Sequence, residues 1–252
     1  MEHKNWVHYL RKRDLKKIFG YAKQSKIVLI GPVLEIGCGD GFLTNELRKV
    51  FGEVTPIDPK PRAEIDGIII CSAEKIPLKD NSINFIFSSN VLEHVENINV
   101  ALEEMKRILS PDGIMIHTIP TVTWKIFQIL LFPIHLIKTN YTKILIRNSQ
   151  SNNLSIKKPK TENGLKYKRN FLSKLIPPIH GISKSNIDEL HYFTKSNWRN
   201  IFHDNDFSLV MTKPLFFHSA YRLLPFKFLW IRKIISYLGC SSVRAYYLIN
   251  KN

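Results

Sequence analysis

Val33-Leu34-Glu35-Ile36-Gly37-Cys38-Gly39-Asp40-Gly41 is the stretch on which the reading of this chain turns. A short run of strand character meets three glycines at alternate positions, and Phe42 to Phe51 then follows a helical pattern. Glycine has no Cβ, so such a turn can adopt left-handed backbone and bring main chain close to a ligand. The helix behind it begins with unpaired N–H groups. Asp58 ends a second apolar run, Glu53–Ile57. An acid at that point is placed to accept hydrogen bonds from a ribose. Two readings stay open here, a plain strand-to-helix turn and a nucleotide site. The dinucleotide spacing G-x-G-x-x-G is absent, because the third glycine comes one residue early. That counts against NAD.

Working outward, Trp6 to Lys26 reads as an amphipathic basic helix. Trp6, Leu10, Leu15, Ile18 and Tyr21 share one face, and Arg11–Arg13 and Lys16–Lys17 the other. Gly67–Cys71 reads as a third strand, Ser82–Ser88 as a fourth and Gly113–Ile119 as a fifth. Val100–Leu109 is a helix closed by the turn signal Ser110-Pro111-Asp112-Gly113. Strands alternating with crossovers make an α/β fold with a parallel sheet. After Pro120 an apolar, aromatic segment spans 121–138, and 147–170 reads as a polar, Lys-rich loop. Thr194 caps a further helix through Trp198. Phe207–Lys213 and Val243–Ile249 complete seven strands.

The expected division is a basic helix at 1–30, a core at 31–120, an inserted cap with its basic loop at 121–190, and completion of the core with an apolar, basic insert at 191–252. The chain has 252 residues, with 37 Lys/Arg against 21 Asp/Glu and a net charge of +16. Residues 1–30 carry +6, 31–120 carry −6, and 121–252 carry +16. At 44% hydrophobic residues the chain is neither disordered nor fibrous. The charge asymmetry points to a polyanionic partner, nucleic acid or anionic membrane. Three cysteines, Cys38, Cys71 and Cys240, have no short spacing. They exclude a disulfide framework and a CxxC zinc site, and the default compartment is cytoplasmic. No signal peptide or spanning segment is expected, since the apolar run Ile126–Ile137 is too short.

Glu35 to Gly41 closely resembles the nucleotide-binding motif of the class I S-adenosylmethionine-dependent methyltransferases of the small-molecule type. Asp58 falls at that family's ribose-binding acid. Ser72-Ala73-Glu74-Lys75-Ile76-Pro77-Leu78 resembles the segment lining the adenine, with Ser72 where the family often has Asp. Ser82–Val95 resembles the fourth strand and following helix, and Ile108–Gly113 the turn before strand five.

The resemblance implies a Rossmann-like, doubly wound, mostly parallel seven-stranded sheet with helices on both faces and a cap inserted after strand five. It implies S-adenosyl-L-methionine as cofactor. Gly37, Gly39 and Gly41 would pack against its methionine part, with Glu35 orienting the loop or reaching the amino group through water. Asp58 would hold the ribose, Ser72, Ala73 and Glu74 would border the adenine, and Asn90 would face the methyl donor.

Methyl transfer from a sulfonium relies on alignment of donor and acceptor. A base is needed only where the acceptor must lose a proton, and His94 is the candidate, with a structural role as its alternative reading. His117 and His180 are secondary candidates. A related branch that methylates quinone precursors carries extra acids around this Glu-His pair and binds a metal. Asn90 stands where such an acid would be, so no metal is expected.

The inserts between strands five and six and between six and seven carry Trp124, Phe127 and Phe132, then Phe216, Phe217 and Trp230, with Arg222, Lys227, Arg232 and Lys233 among them. Basic residues interleaved with aromatics suit a membrane-lying segment. The expected protein is a methyltransferase acting on a hydroxyl of a small-molecule or lipid-linked saccharide acceptor, cytoplasmic and peripheral on the inner membrane face. The alternatives are an RNA methyltransferase and a quinone-precursor O- or C-methyltransferase. Nucleic acid is the weaker partner, because the motif of base-amine methylases is missing at Ser89-Asn90-Val91-Leu92.

Overall fold

The computed structural model of the protein describes residues 3–150, 176–217, 229–237 and 240–251. Six strands form one sheet in the order β2-β1-β3-β4-β6-β5. They are β1 (Val33–Ile36), β2 (Val54–Ile57), β3 (Ile83–Ser89), β4 (Leu109–Pro120), β5 (Phe207–Pro214) and β6 (Val243–Asn250). The first four run parallel, while β6 is antiparallel to both β4 and β5. All four residues of β1 are buried, as expected of a central strand covered on both faces.

Helices cover each face of the sheet. On one side α1 (His3–Gln24) and α2 (Phe42–Phe51) bury Leu15, Ile18, Ala22, Leu43 and Leu47 against Phe85, Phe87 and Ile116. On the other side α3 (Ile98–Ile108) and α6 (Lys195–Asp204) bury Leu102, Met105, Trp198 and Phe202 against Ile86, Met115 and Tyr246. The expected apolar face of α1 is the face that packs, and the Tyr247 hydroxyl donates to the Ile18 carbonyl at 2.9 Å. Thr194 caps α6 as its sequence predicts, accepting from the Asn197 amide at 3.2 Å.

Among the described residues the sheet has six strands in place of the expected seven. Gly67–Cys71 does not form a strand; it touches the sheet at a single bridge, Ile57 to Ile69. Pro56 explains why. Its carbonyl accepts from the Ile69 amide at 3.0 Å. In a parallel ladder a residue's N–H and C=O point to the same neighbour, and a proline nitrogen has no hydrogen to return. The edge therefore closes after one rung.

Two further boundaries moved. The helix expected from Val100 starts at Ile98, with Asn97 as cap and the Glu74 carboxylate accepting the Asn97 amide at 2.7 Å. The signal at Ser110–Gly113 does not separate helix from strand. It lies inside β4 as an irregularity, the register jumping from Leu109 opposite Ile83 to Ile114 opposite Phe85.

The insert after strand five begins with one long helix, α4 (Val122–Gln150), which continues through Pro133. It therefore overruns the start of the polar loop expected from 147, and the rest of that loop, 151–170, lies outside the described residues. So do Arg222, Lys227 and their neighbours at 218–228. The remaining helices are α5 (Asn186–Tyr192) and α7 (Leu229–Tyr237). Among the described residues, no helix is long and apolar enough to cross a membrane.

Candidate active site

Chain order reverses between β1 and β3, and ligands of open α/β sheets bind outside the strand ends at such a point. A cavity of about 630 Å³ lies there, within the usual range for small-molecule sites. Its lining includes Gly37, Gly39, Asp58 and Asn90 at the strand ends, and Trp6, Leu10 and Arg11 of α1. Its far side includes His94, Trp124 and His180.

The turn after β1 is held by its own backbone. The Gly37 and Cys38 amides donate to the Ile57 carbonyl at 2.8 and 3.2 Å. Gly37, Gly39 and Gly41 have φ of 73°, 59° and 72°, which costs a residue with a Cβ about 1–2 kcal/mol. A Cβ at Gly37 would lie 2.4 Å from Val91 Cγ2, and one at Gly39 would lie 2.3 Å from Arg62 Nη2. Packed side chains, Val91 and Ile65, crowd Gly37 and Gly41, whereas the flexible end of Arg62 could move from Gly39, where the positive φ is the firmer constraint.

The Asp58 carboxylate ties the turn to the end of β2. One oxygen accepts the Gly39 amide at 2.9 Å and the other the Lys60 amide at 2.8 Å. A carboxylate has roughly four acceptor positions, so lone pairs remain for a ligand in the cavity. The N-terminal helix grips the same turn. His8 Nε2 lies 2.8 Å from Asp40 Oδ2, and the His8 ring stacks on Phe42 at 4.0 Å. Burial would push the Asp40 carboxyl up, but the His8 hydrogen bond, the Phe42 amide and Arg11 together hold it below the usual range.

The other sequence-selected residues lie off the cavity wall. Glu35 is buried behind the turn and accepts a hydrogen bond from the Thr44 hydroxyl. Burial pushes its carboxyl up to about 7, against the Thr44 bond and Arg11. Gly41 sits against Ile65. Ser72 accepts the Glu74 amide at 3.0 Å, Glu74 is engaged at the start of α3, and Ala73 belongs to the core. His117 is fully buried beside Ser88, its pKa lowered by burial to about 3, and does not reach the cavity. Cys38 is buried, as its composition suggests.

Asn90, also on the wall, has φ 54° and donates its amide to the Thr118 carbonyl at 2.9 Å. Its side-chain oxygen is buried and has no hydrogen-bond partner among the described residues. His94 sits on a 3₁₀ turn, Leu92–His94, half exposed, with Glu93 fully buried beside it. Arg62 was not singled out in the sequence, Trp124 was read only as part of an apolar insert, Glu93 only as the neighbour of His94, and His180 only as a secondary candidate. Glu93 and His94 were legible as a pair, but nothing local marks His180 as their neighbour.

Residues 34–117 match a family model described as a methyltransferase domain. Demethylmenaquinone methyltransferase of Staphylococcus aureus is 31% identical over 129 residues, covering 46% of this chain and 49% of that protein. Ubiquinone biosynthesis O-methyltransferase of Azorhizobium caulinodans is 26% identical over 130 residues, covering 46% and 51%. The chain thus spans about half the length of the curated relatives it matches.

Among solved structures, a SAM-dependent methyltransferase of Thermotoga maritima aligns at 16% identity with a TM-score of 0.54, covering 99% of this chain and 94% of that one. An S-adenosylmethionine-dependent methyltransferase of Mesorhizobium loti aligns at 12% with a TM-score of 0.51, covering 91% and 96%. At these identities the likeness concerns the fold. The family match spans the glycine turn, β2, β3 and most of β4. Residues 34–117 thus carry a methyltransferase domain, on a fold shared with S-adenosylmethionine-dependent methyltransferases.

Proposed function

We propose that the protein transfers the methyl group of S-adenosylmethionine to an oxygen of a small amphiphilic acceptor. The observation that carries this is one cavity lined by two sets of residues, which we read as a cofactor wall and an acceptor wall. The cofactor wall offers a close-approach glycine turn, the Asp58 carboxylate and an unpartnered Asn90 carboxamide oxygen. These fit the polar groups of a nucleoside and an amino acid. Gly37 and Gly39 would admit the methionine part, Asp58 would accept from the ribose, and Asn90 would face the donor end. Glu35 and Gly41 would shape the turn from behind. Ser72, Ala73 and Glu74 would set the segment bordering the adenine. When bound, the cofactor supplies an electrophilic methyl.

The opposite wall supplies the acceptor side. Trp124 presents an aromatic face, and His94 presents an imidazole that can take the proton of a hydroxyl. Alignment of the two ligands does most of the work, since in-line displacement needs no covalent help. Isothermal titration calorimetry with S-adenosylmethionine checks the cofactor half. Asp58→Ala should weaken binding by about ten- to a hundredfold, in keeping with the loss of hydrogen bonds to a charged group. Equal affinity in the variant would remove Asp58 from the site.

Association with an anionic membrane surface is supported by α4. Its buried positions include Lys125 and Gln128, while Ile126, Leu130, Ile134 and Ile137 are 43%, 64%, 51% and 71% exposed. Spacings of four, four and three place these apolar residues on one side of the helix. Together with the +16 carried by 121–252, this suits an interfacial helix. A lipid-linked saccharide would meet the protein there. A quinone precursor is the second reading, favoured by the two named relatives and the apolar cavity wall. Methylation assays with the two acceptor classes, run with and without anionic vesicles, separate them.

A further inference from the structure

Glu93 is fully buried, yet neither carboxylate oxygen has a hydrogen-bond partner among the described residues. A buried, unsatisfied carboxylate is costly unless a cation pairs with it. Two imidazoles flank it at more than hydrogen-bond length. His94 Nε2 lies 3.9 Å and His180 Nε2 3.7 Å from Glu93 Oε1. One ligand atom from each of the three residues lies within 4.8 Å of the others. A first-row ion bound at about 2.0–2.2 Å would hold such donors only slightly closer together.

The arrangement is built from three directions. Gly181, with φ 90°, presses against Glu93 so closely that a Cβ would lie 2.4 Å from the Glu93 carbonyl oxygen. The Ile182 amide donates to that carbonyl at 3.3 Å. The His180 amide donates to Glu189, which pairs with the buried Lys125 of α4. The His94 and His180 rings meet edge to face at 4.6 Å, and Trp124 meets His180 at 5.0 Å.

We propose that Glu93, His94 and His180 form a binding site for a divalent transition-metal ion such as zinc, with its remaining coordination positions open to the cavity. Two imidazoles and one carboxylate suit zinc, iron or manganese better than magnesium or calcium, which favour all-oxygen sets. Both histidines line the cavity, so the open positions face the acceptor. This replaces the expectation of no metal, which rested on Asn90 and could not foresee His180. If the proposed methyl transfer holds, an acceptor hydroxyl bound to the ion would release its proton to solvent. The oxygen pair would then form the O–CH₃ bond as the S–CH₃ bond breaks, and His94 would serve as a ligand in place of a base.

The full chain, stripped with chelator, is titrated with Zn²⁺ and separately with Mg²⁺ by calorimetry. The expected result is one Zn²⁺ per chain at micromolar affinity or tighter, with Mg²⁺ at least tenfold weaker. Glu93→Gln and His180→Ala should each weaken Zn²⁺ binding at least tenfold while keeping S-adenosylmethionine binding, which reports the fold. Zn²⁺ should raise the melting temperature of the wild type and leave that of Glu93→Gln unmoved. His180→Gln, held to the same criterion, takes the place of His180→Ala if the latter fails to fold. Absence of stoichiometric Zn²⁺ binding, or binding that both variants leave unchanged, overturns the proposal. Zn²⁺ binding without cofactor binding would instead sink the methyl-transfer reading and leave the metal site standing.

Discussion

The two walls of the cavity are built by opposite means. The wall read as the cofactor's is mostly backbone: amides, left-handed glycines and the Asp58 carboxylate from the span between β1 and the residue after β2, with the Asn90 side chain joining from the end of β3. The acceptor wall is side chains gathered from the turn after β3, from α4 and from the segment before α5. A backbone site tolerates no Cβ but many neighbouring side chains. A side-chain site depends on who meets whom across the fold.

Two glycines make the sharpest test, Gly37 on the cavity lining and Gly181 packed against the Glu93 backbone beside it. Gly37 and Gly181 both have positive φ, and a Cβ at either would lie 2.4 Å from its nearest atom. Left-handed backbone and overpacking together cost about 2–5 kcal/mol. At Gly181 the obstacle is the Glu93 backbone, which cannot turn aside; at Gly37 it is the Val91 side chain, which can. Gly181→Ala should therefore be the more damaging to stability, while S-adenosylmethionine still binds, because the sheet end is untouched. Gly37→Ala should lose cofactor affinity, and Val91→Ala added to it should restore part. Denaturant unfolding and calorimetry read both effects. Cofactor binding lost equally in the two variants would show that the walls are not independent.

The same contrast explains what could be read in the sequence. Gly37, Gly39 and Asp58 were legible because a turn's backbone requirements are written locally. The third strand was misread because Gly67–Cys71 has the right apolar run, whereas the obstacle is Pro56 on its neighbour. The 121–138 segment reads as apolar and aromatic, yet its buried positions include Lys125 and Gln128, because Lys125 has a buried partner in Glu189 on another helix. His180 joins Glu93 by tertiary contact alone. Six of the sequence-selected residues, Glu35, Gly41, Ser72, Ala73, Glu74 and His117, do not line the cavity.

Glu35 gives a pH test confined to the cofactor side. Its carboxyl is pushed up to about 7 by burial, against about 4.3 in an unfolded chain. The folded state thus keeps a proton that the unfolded state releases first. The resulting stability is complete below about pH 4 and is lost as pH rises to about 7, a change of about 3 kcal/mol. Glu35→Gln still offers an acceptor to the Thr44 hydroxyl and does not titrate. Its stability should overtake that of the wild type between about pH 5 and pH 7.5 in thermal melts. A constant difference across that range would mean that Glu35 ionises as freely in the fold as outside it.

The smallest effect on stability, and the most telling for the acceptor side, is expected on the outward face of α4. Leu130 and Ile134 are 64% and 51% exposed, so Leu130→Gln with Ile134→Gln removes little buried apolar area. Surface changes of this kind stay within about 0.5 kcal/mol. Both apolar side chains would, however, enter a lipid interface if α4 lies on one, at a gain that scales with buried apolar area. Sedimentation with anionic vesicles should then fall about tenfold in the double variant, with an unchanged melting temperature. Raising the salt weakens the charge attraction but leaves the apolar part, so wild type and variant should still differ at high salt. Equal sedimentation of the two would show that charge alone draws the protein to the vesicle and that the α4 stripe has another use.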